Sequence, residues 1–342
     1  MDAVVRGRRV QPLAEILAEE FRERAYRNDL NALVGEHTYE ELAAFIEELT
    51  LTHLGVRPSG ALFATKSVGA VFCVVLESGE PAILKLFNST YSHAELSAVH
   101  RCMALATAQG FPAPRLRSEL FQATERVWGI FYAYLDGDQR DAHEPAVRRE
   151  LARGLAELCT LLAPVDASEL PLTPTRLDTL WPAPHRSWDH SALDGEDASF
   201  IDQQAATAQR AIKKSKLRRI AAHLDWGVKN ARFRDDTLCA VYDWDSLHSA
   251  SEAECAGRAA AQFTAQWEIP TLLTPTPDEA RAFLDEYQAA RGKRFSRAER
   301  AVAAAGARYL VAHVARSELA MGIPEGDNFR GLLRNYDDSP LL

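Results

Sequence analysis

Cysteine is scarce and unpatterned in this sequence. Five residues, Cys73, Cys102, Cys159, Cys239 and Cys255, are spread over 342 positions with no CxxC pair and no histidine cluster beside them. That spacing excludes a zinc ribbon, a redox dithiol motif and a disulfide framework, and reduced core thiols are expected. Long apolar runs are also missing: none approaches the roughly 18 residues of a membrane-spanning helix. The opening MDAVVRGRRVQPLAEI lacks the apolar centre of a secretory signal, so a cytoplasmic protein without a membrane partner is expected. There is no basic excess. A formal net charge of −9 argues against a nucleic-acid binder, whose phosphate contacts need a basic face, and no nucleic-acid partner is expected. The one basic run, Lys213, Lys214, Lys216, Arg218 and Arg219, reads as the solvated face of a helix. GxSxG, HExxH and paired Cys–His motifs are absent, which removes serine hydrolase, metal hydrolase and thiol enzyme readings.

What is present is a globular composition, 47% apolar, arranged in two textures. Residues 11–54 carry helical periodicity, with Leu13, Ile16, Leu17 and Phe21 on one face and Leu42, Phe45, Ile46 and Leu49 on another. They predict two opening helices. From Gly60 come short β-branched and aromatic runs, GALFAT, AVFCVVL and PAILKLF, which predict three antiparallel strands. A helix over 92–109 and two more strands, RLRSELF and RVWGIFYAYL, complete a five-stranded half. After Leu135 nearly everything reads as helix: 144–163, 199–221, 252–268, 277–291 and 296–319. Strand signals there are confined to RIAAHLD, NARFRDD and LCAVYDWD. The expected organisation is a lobe over 1–135 with two leading helices and an antiparallel sheet, and a helical lobe over 136–342, in the α+β class.

The chemistry concentrates in HLDWGVKNARFRDDTLCAVYDWDSL, from His223 to Leu247. Asp225 and Asn230 stand in the spacing HxDxxxxN, and Asp243 follows a short hairpin. A loop of that length can aim an acid and an amide at one point, and the returning strand can deliver a second acid to it. Phosphoryl transfer needs such a set: a carboxylate to orient the attacking hydroxyl, and an amide oxygen and a carboxylate to hold magnesium. Lys85 lies between Leu84 and Leu86 in the third strand, where a cation is costly without a charged partner, and so is a candidate for nucleotide phosphates.

The segment resembles the catalytic loop and metal-binding strand of the aminoglycoside phosphotransferase and choline kinase superfamily. HxDW, YDWDSL and PTLLTPTPDEARAFLDEYQAARGKRF resemble one bacterial branch of it, and the similarity runs from about residue 60 to 320. The resemblance implies a bilobal protein-kinase-like fold, ATP or GTP with Mg2+ as cofactors, Asp225 as the catalytic carboxylate, and Asn230 and Asp243 as metal ligands. It implies that His223 braces the loop and that Lys85 binds phosphate. Ser67 and Gly69 would belong to a loop covering the phosphates, and Ala133 and Leu135 would offer backbone groups to the base. Glu95 has two roles open to it: pairing with Lys85, or closing a capping box with Ser92. Leu224 stands where most relatives have glycine. Trp226 is either core packing or a substrate platform, and Asp245 either supports the metal site or bonds local backbone.

The expected activity is transfer of phosphate to a hydroxyl of a small molecule: an aminoglycoside-like antibiotic, an amino alcohol or a sugar. The alternative is a catalytically weak nucleotide-binding regulator on the same fold. A protein kinase fits less well, because DWD has no following glycine and no APE-like segment follows. Sequence does not reveal the acceptor or the oligomeric state.

Overall fold

The computed structural model describes residues 4–5, 8–66, 69–88, 90–182, 193–336 and 340–342. They form two compact units. The first holds the described residues up to His100 together with Pro114–Leu135, and the second holds Arg101–Ala113 and the described residues after Leu135.

In the first unit a short hairpin, β1 (Val4–Val5) and β2 (Arg8–Arg9), precedes α1 (Leu13–Glu20), α2 (Arg24–Val34) and α3 (Tyr39–Leu54). Three helices thus replace the expected two. The second break lies at Gly35, at φ 93°, and at Thr38, which caps α3. Thr38 Oγ1 accepts the Glu41 N–H at 3.1 Å and Glu41 accepts the Thr38 N–H at 2.8 Å, satisfying two orphan helix donors. The sheet follows: β3 (Pro58–Lys66), β4 (Ala70–Leu76), β5 (Pro81–Phe87), then helix α4 (His93–Ala108), whose residues from Arg101 on belong to the second unit, then β6 (Phe121–Thr124) and β7 (Val127–Ala133). Its five antiparallel strands run in the order β3-β4-β5-β7-β6. Of the expected strand RLRSELF, only the last residue enters β6; Leu116 makes an isolated bridge to Tyr132. Alternation along β5 sends Ala82, Leu84 and Leu86 into the main core with Leu17, Ile46, Phe72 and Phe131. Each such buried Leu or Phe contributes about 1.5–3 kcal/mol. The other face carries Lys85 and a small cluster of Leu62, Cys73 and Val75, flanked by Phe63, Ile83 and Tyr134.

The second unit is mainly helical: α5 (Pro145–Leu162), α6 (Glu196–Lys214), then β8 (Arg219–His223), β9 (Ala231–Arg234), β10 (Thr237–Val241) and β11 (Leu247–Ser251), then α7 (Glu252–Gln262), α8 (Pro277–Ala290), α9 (Arg297–Ala320) and α10 (Phe329–Arg334). Helix α6 stops at Lys214, so the basic run is not one helix face. Lys213 and Lys214 lie in its last turn, where cations complement the helix dipole, and Arg219 opens β8. Helix α7 ends at Gln262, short of the expected 268. Two two-stranded ladders frame the centre, β9 with β10 and β8 with β11. Helices α7 and α9 pack at backbone distance: a Cβ on Gly257 would fall 1.9 Å from Ala303 O, so only glycine fits. Four of the five cysteines are buried and none forms a disulfide. Among the described residues no helix is long and apolar enough to cross a membrane.

Candidate active site

In the second unit, the loop between β8 and β9 and the turn after β10 bring Asp225, Asn230 and Asp243 into one hydrogen-bonded structure. Its hub is the Tyr242 backbone. The Tyr242 N–H donates to Asn230 O at 2.8 Å, and Tyr242 O accepts from His223 Nε2 at 3.0 Å, so the residue before Asp243 ties down both the amide and the histidine. Because a carbonyl only accepts, Nε2 carries the proton. His223 is buried edge-on between Trp226 and Trp244. Burial, chiefly, lowers its pKa and keeps the ring neutral, against the opposing pull of the Tyr242 bond and the Asp243 and Asp225 charges.

The Asp225 carboxylate is held on both oxygens. Asn230 Nδ2 donates to Oδ2 at 3.0 Å and to the Asp225 carbonyl at 2.8 Å, while Lys229 Nζ lies 2.8 Å from Oδ1. The loop backbone leans on the end of α7. Gln262 Nε2 donates to Leu224 O at 2.9 Å, and the Val228 N–H donates to Phe263 O at 2.9 Å. Leu224 is buried and occupies the position without left-handed backbone. Trp226 is a core residue: it is buried, and its indole N–H donates to Leu151 O of α5 at 3.1 Å.

Asp243 adopts φ 59° and ψ 45°, a left-handed conformation rare for a residue with a side chain. Ser246 stabilises it, with N–H to Asp243 O at 2.9 Å and Oγ to Asp243 Oδ2 at 2.8 Å. Trp244 closes the same turn through Nε1 to Val241 O at 2.9 Å and packs edge-on against Phe111. Asp245 is buried in that turn.

In the first unit, Lys85 is 8% exposed, paired between Val71 of β4 and Ile130 of β7, with its ammonium 5.4 Å from the Phe87 ring centre. His100 of α4 packs edge-on against Phe87 and bonds the Tyr132 hydroxyl at 2.8 Å. Burial first, and the Lys85 charge second, push the His100 pKa down to about 4. Glu95 displays the capping geometry: it accepts the Ser92 N–H at 2.9 Å and returns its own N–H to Ser92 Oγ at 3.2 Å. Gly69 sits so close to β5 that a Cβ would lie 1.8 Å from Leu86 O. Ser67 lies outside the described residues. The Ala133 N–H donates to Arg115 O at 2.8 Å, and Leu135 ends the unit. Sequence reasoning missed Lys229 and Gln262. For Lys229 there was a signal, an opposite charge four residues after Asp225.

Asn230 and Asp243 suit a hard cation. With its Nδ2 committed to Asp225, Asn230 has its oxygen as the end available to a metal, and magnesium is held by one or two such oxygens plus substrate phosphates rather than by a protein cage. No group of three or more His, Cys, Asp or Glu that could hold a metal ion gathers among the described residues.

Residues 67–294 match the phosphotransferase enzyme family, and the chain belongs to it. Solved structures show the same kinase-like fold. An amicoumacin kinase, in complex with AMP-PNP, Ca2+ and its ligand, is 10% identical with a TM-score of 0.62, covering 88% of this chain and 97% of its own. A thermostable mutant of aminoglycoside phosphotransferase APH(4)-Ia, with AMP-PNP and hygromycin B, is 13% identical with a TM-score of 0.54, covering 81% and 92%. The macrolide 2′-phosphotransferase MphH from Brachybacterium faecium is 15% identical with a TM-score of 0.50, covering 81% and 93%. No curated protein matches the chain.

Proposed function

We propose that this phosphotransferase moves the terminal phosphoryl group of ATP or GTP, with Mg2+, onto a hydroxyl of a small molecule. The observation that carries the reading is the linkage of Asp225, Asn230 and Asp243 through the Tyr242 peptide, which fixes an acid, an amide and a second acid without any of them being core. In this reading Asp225 orients the acceptor hydroxyl and takes its proton as the oxygen attacks. Asn230 Oδ1 and the Asp243 carboxylate hold Mg2+, which when bound neutralises charge on the phosphates. Lys85 holds phosphate oxygens, and the apolar cluster of Leu62, Cys73 and Val75 on the same sheet face suits the flat face of a base. The AMP-PNP bound by the amicoumacin and hygromycin enzymes supports a nucleotide as the phosphate donor. Neutral His223 maintains the loop by donating to Tyr242 O rather than by exchanging protons. The polar trio is intact, which favours an enzyme over a nucleotide-binding regulator.

The test is a panel of amino sugars, amino alcohols, sugars, nucleosides and hydroxylated antibiotics incubated with magnesium ATP or GTP. An acceptor gaining the mass of one phosphate is the expected result. A chain that binds nucleotide and modifies no hydroxyl compound would support the regulator instead.

A further inference from the structure

We propose that Lys229 is a positioning residue for Asp225, an inference that rests on the phosphotransferase reading above. The Lys229 ammonium lies 2.8 Å from Oδ1 while Asn230 holds Oδ2 at 3.0 Å, so the two donors together set the plane of the carboxylate. An ionised carboxylate offers about four lone-pair directions, and two held in this way leave the others aimed in fixed directions for an acceptor hydroxyl. Without Lys229, one oxygen of a side chain that is about a third exposed has no charged partner, and the group can turn about its terminal torsion.

Lys229 is itself held from several sides. It lies in a 3-10 turn, Val228–Asn230, whose flanking peptides are pinned: Val228 N–H to Phe263 O, Asn230 N–H to Gly227 O at 3.1 Å, and Tyr242 N–H to Asn230 O. Its ammonium stands 5.6 Å from the centre of the Trp267 indole. Trp267 is 69% exposed, yet both of its neighbours are anchored, Gln266 through Nε2 to Arg140 O at 3.0 Å and Glu268 through an ion pair with Arg232 at 3.3 Å. The indole thus lines one side of the Lys229 ammonium.

A partly exposed ion pair contributes only about 0–1 kcal/mol to stability. The loop, moreover, is already secured by Gln262, Phe263 and Tyr242. The consequence of Lys229 therefore falls on the orientation of Asp225. Phosphoryl transfer depends largely on positioning, and a displacement of about 1 Å at the reacting group costs roughly 100-fold in rate.

The experiment compares nucleotide turnover, with the best acceptor or with water, in wild type, Lys229→Met, Lys229→Arg, Trp267→Ala and the surface control Lys216→Met. Lys229→Met is expected to lose roughly 10- to 100-fold in kcat with the nucleotide KM changed less than about twofold. Lys229→Arg, which keeps a donor to Oδ1, should recover much of that loss. Trp267→Ala should lose a few-fold in the same parameter, and Lys216→Met nothing. A merely structural lysine would shift the melting temperature without this split between kcat and KM. A Lys229→Met chain as fast as an active wild type overturns the inference alone. A wild type that consumes no nucleotide removes the phosphotransferase reading, and this inference with it.

Discussion

In the first unit Lys85 sits mid-strand, and its place follows from register with Val71 on one side and Ile130 on the other. In the second, Asp225 lies outside any strand, and its place follows from its own bonds to Asn230 and Lys229 and from the bond that Gln262, at the end of α7, donates to the carbonyl of its neighbour Leu224. Register is shared by many residue pairs, so no one substitution moves the lysine. A loop held by individual polar partners can be re-aimed by losing any one of them. The sheet around Lys85 should therefore respond to substitutions with changes in nucleotide affinity or stability, and the loop around Asp225 with changes in rate.

The largest expected effect is on the loop. Asp225→Asn keeps the size of the side chain and removes its charge, and phosphate transfer should fall by roughly 100- to 10,000-fold in an acceptor assay. Activity within tenfold of wild type would show that the Asp225 charge is not needed for transfer.

The second effect concerns acid stability of the sheet unit. The His100 pKa lies near 4 in the fold and near 6.5 in the unfolded chain, so below 6.5 the unfolded state binds more protons. Stability contributed by neutral His100 is complete above pH 6.5 and is lost as pH falls toward 4, a difference of about 3 kcal/mol. Denaturant unfolding at pH 7 and pH 4.5 should show the loss, and His100→Asn should flatten it. An unchanged slope in the variant would contradict the assignment.

Lys85→Ala comes third. Losing a charge-assisted contact to phosphate is worth about 1.5–3 kcal/mol, or roughly 10- to 100-fold in nucleotide affinity, with the sheet intact by circular dichroism. Glu95→Gln is the smallest. As a cap residue it should alter stability by less than about 1 kcal/mol and leave nucleotide affinity alone. A tenfold affinity loss would show that Glu95 acts on the nucleotide and not only on its helix.

The same contrast explains what the sequence revealed. Lys85 stood out because one cation interrupts the apolar run PAILKLF, and the strands around it announced themselves by β-branched texture. Asp225, Asn230 and Asp243 were legible as a spacing, and the family match covers them. Their supports were not, because Tyr242, Phe263 and Leu224 act through peptide groups that carry no residue identity. Strand β11, LHSAS, has small and polar residues of weak strand preference and exists through its pairing with β8. Helix α2 was hidden between the apolar faces read at Leu13–Phe21 and Leu42–Leu49, and Gly35 with the Thr38–Glu41 box separates it from α3.

The division of labour between the two acids is tested most directly by calorimetry with AMP-PNP, with and without Mg2+, on wild type, Asp225→Asn and Asp243→Asn. Asp225→Asn is expected to bind magnesium AMP-PNP as wild type does, while Asp243→Asn loses the magnesium-dependent part of the affinity. Abolished binding in Asp225→Asn together with intact binding in Asp243→Asn would contradict that division.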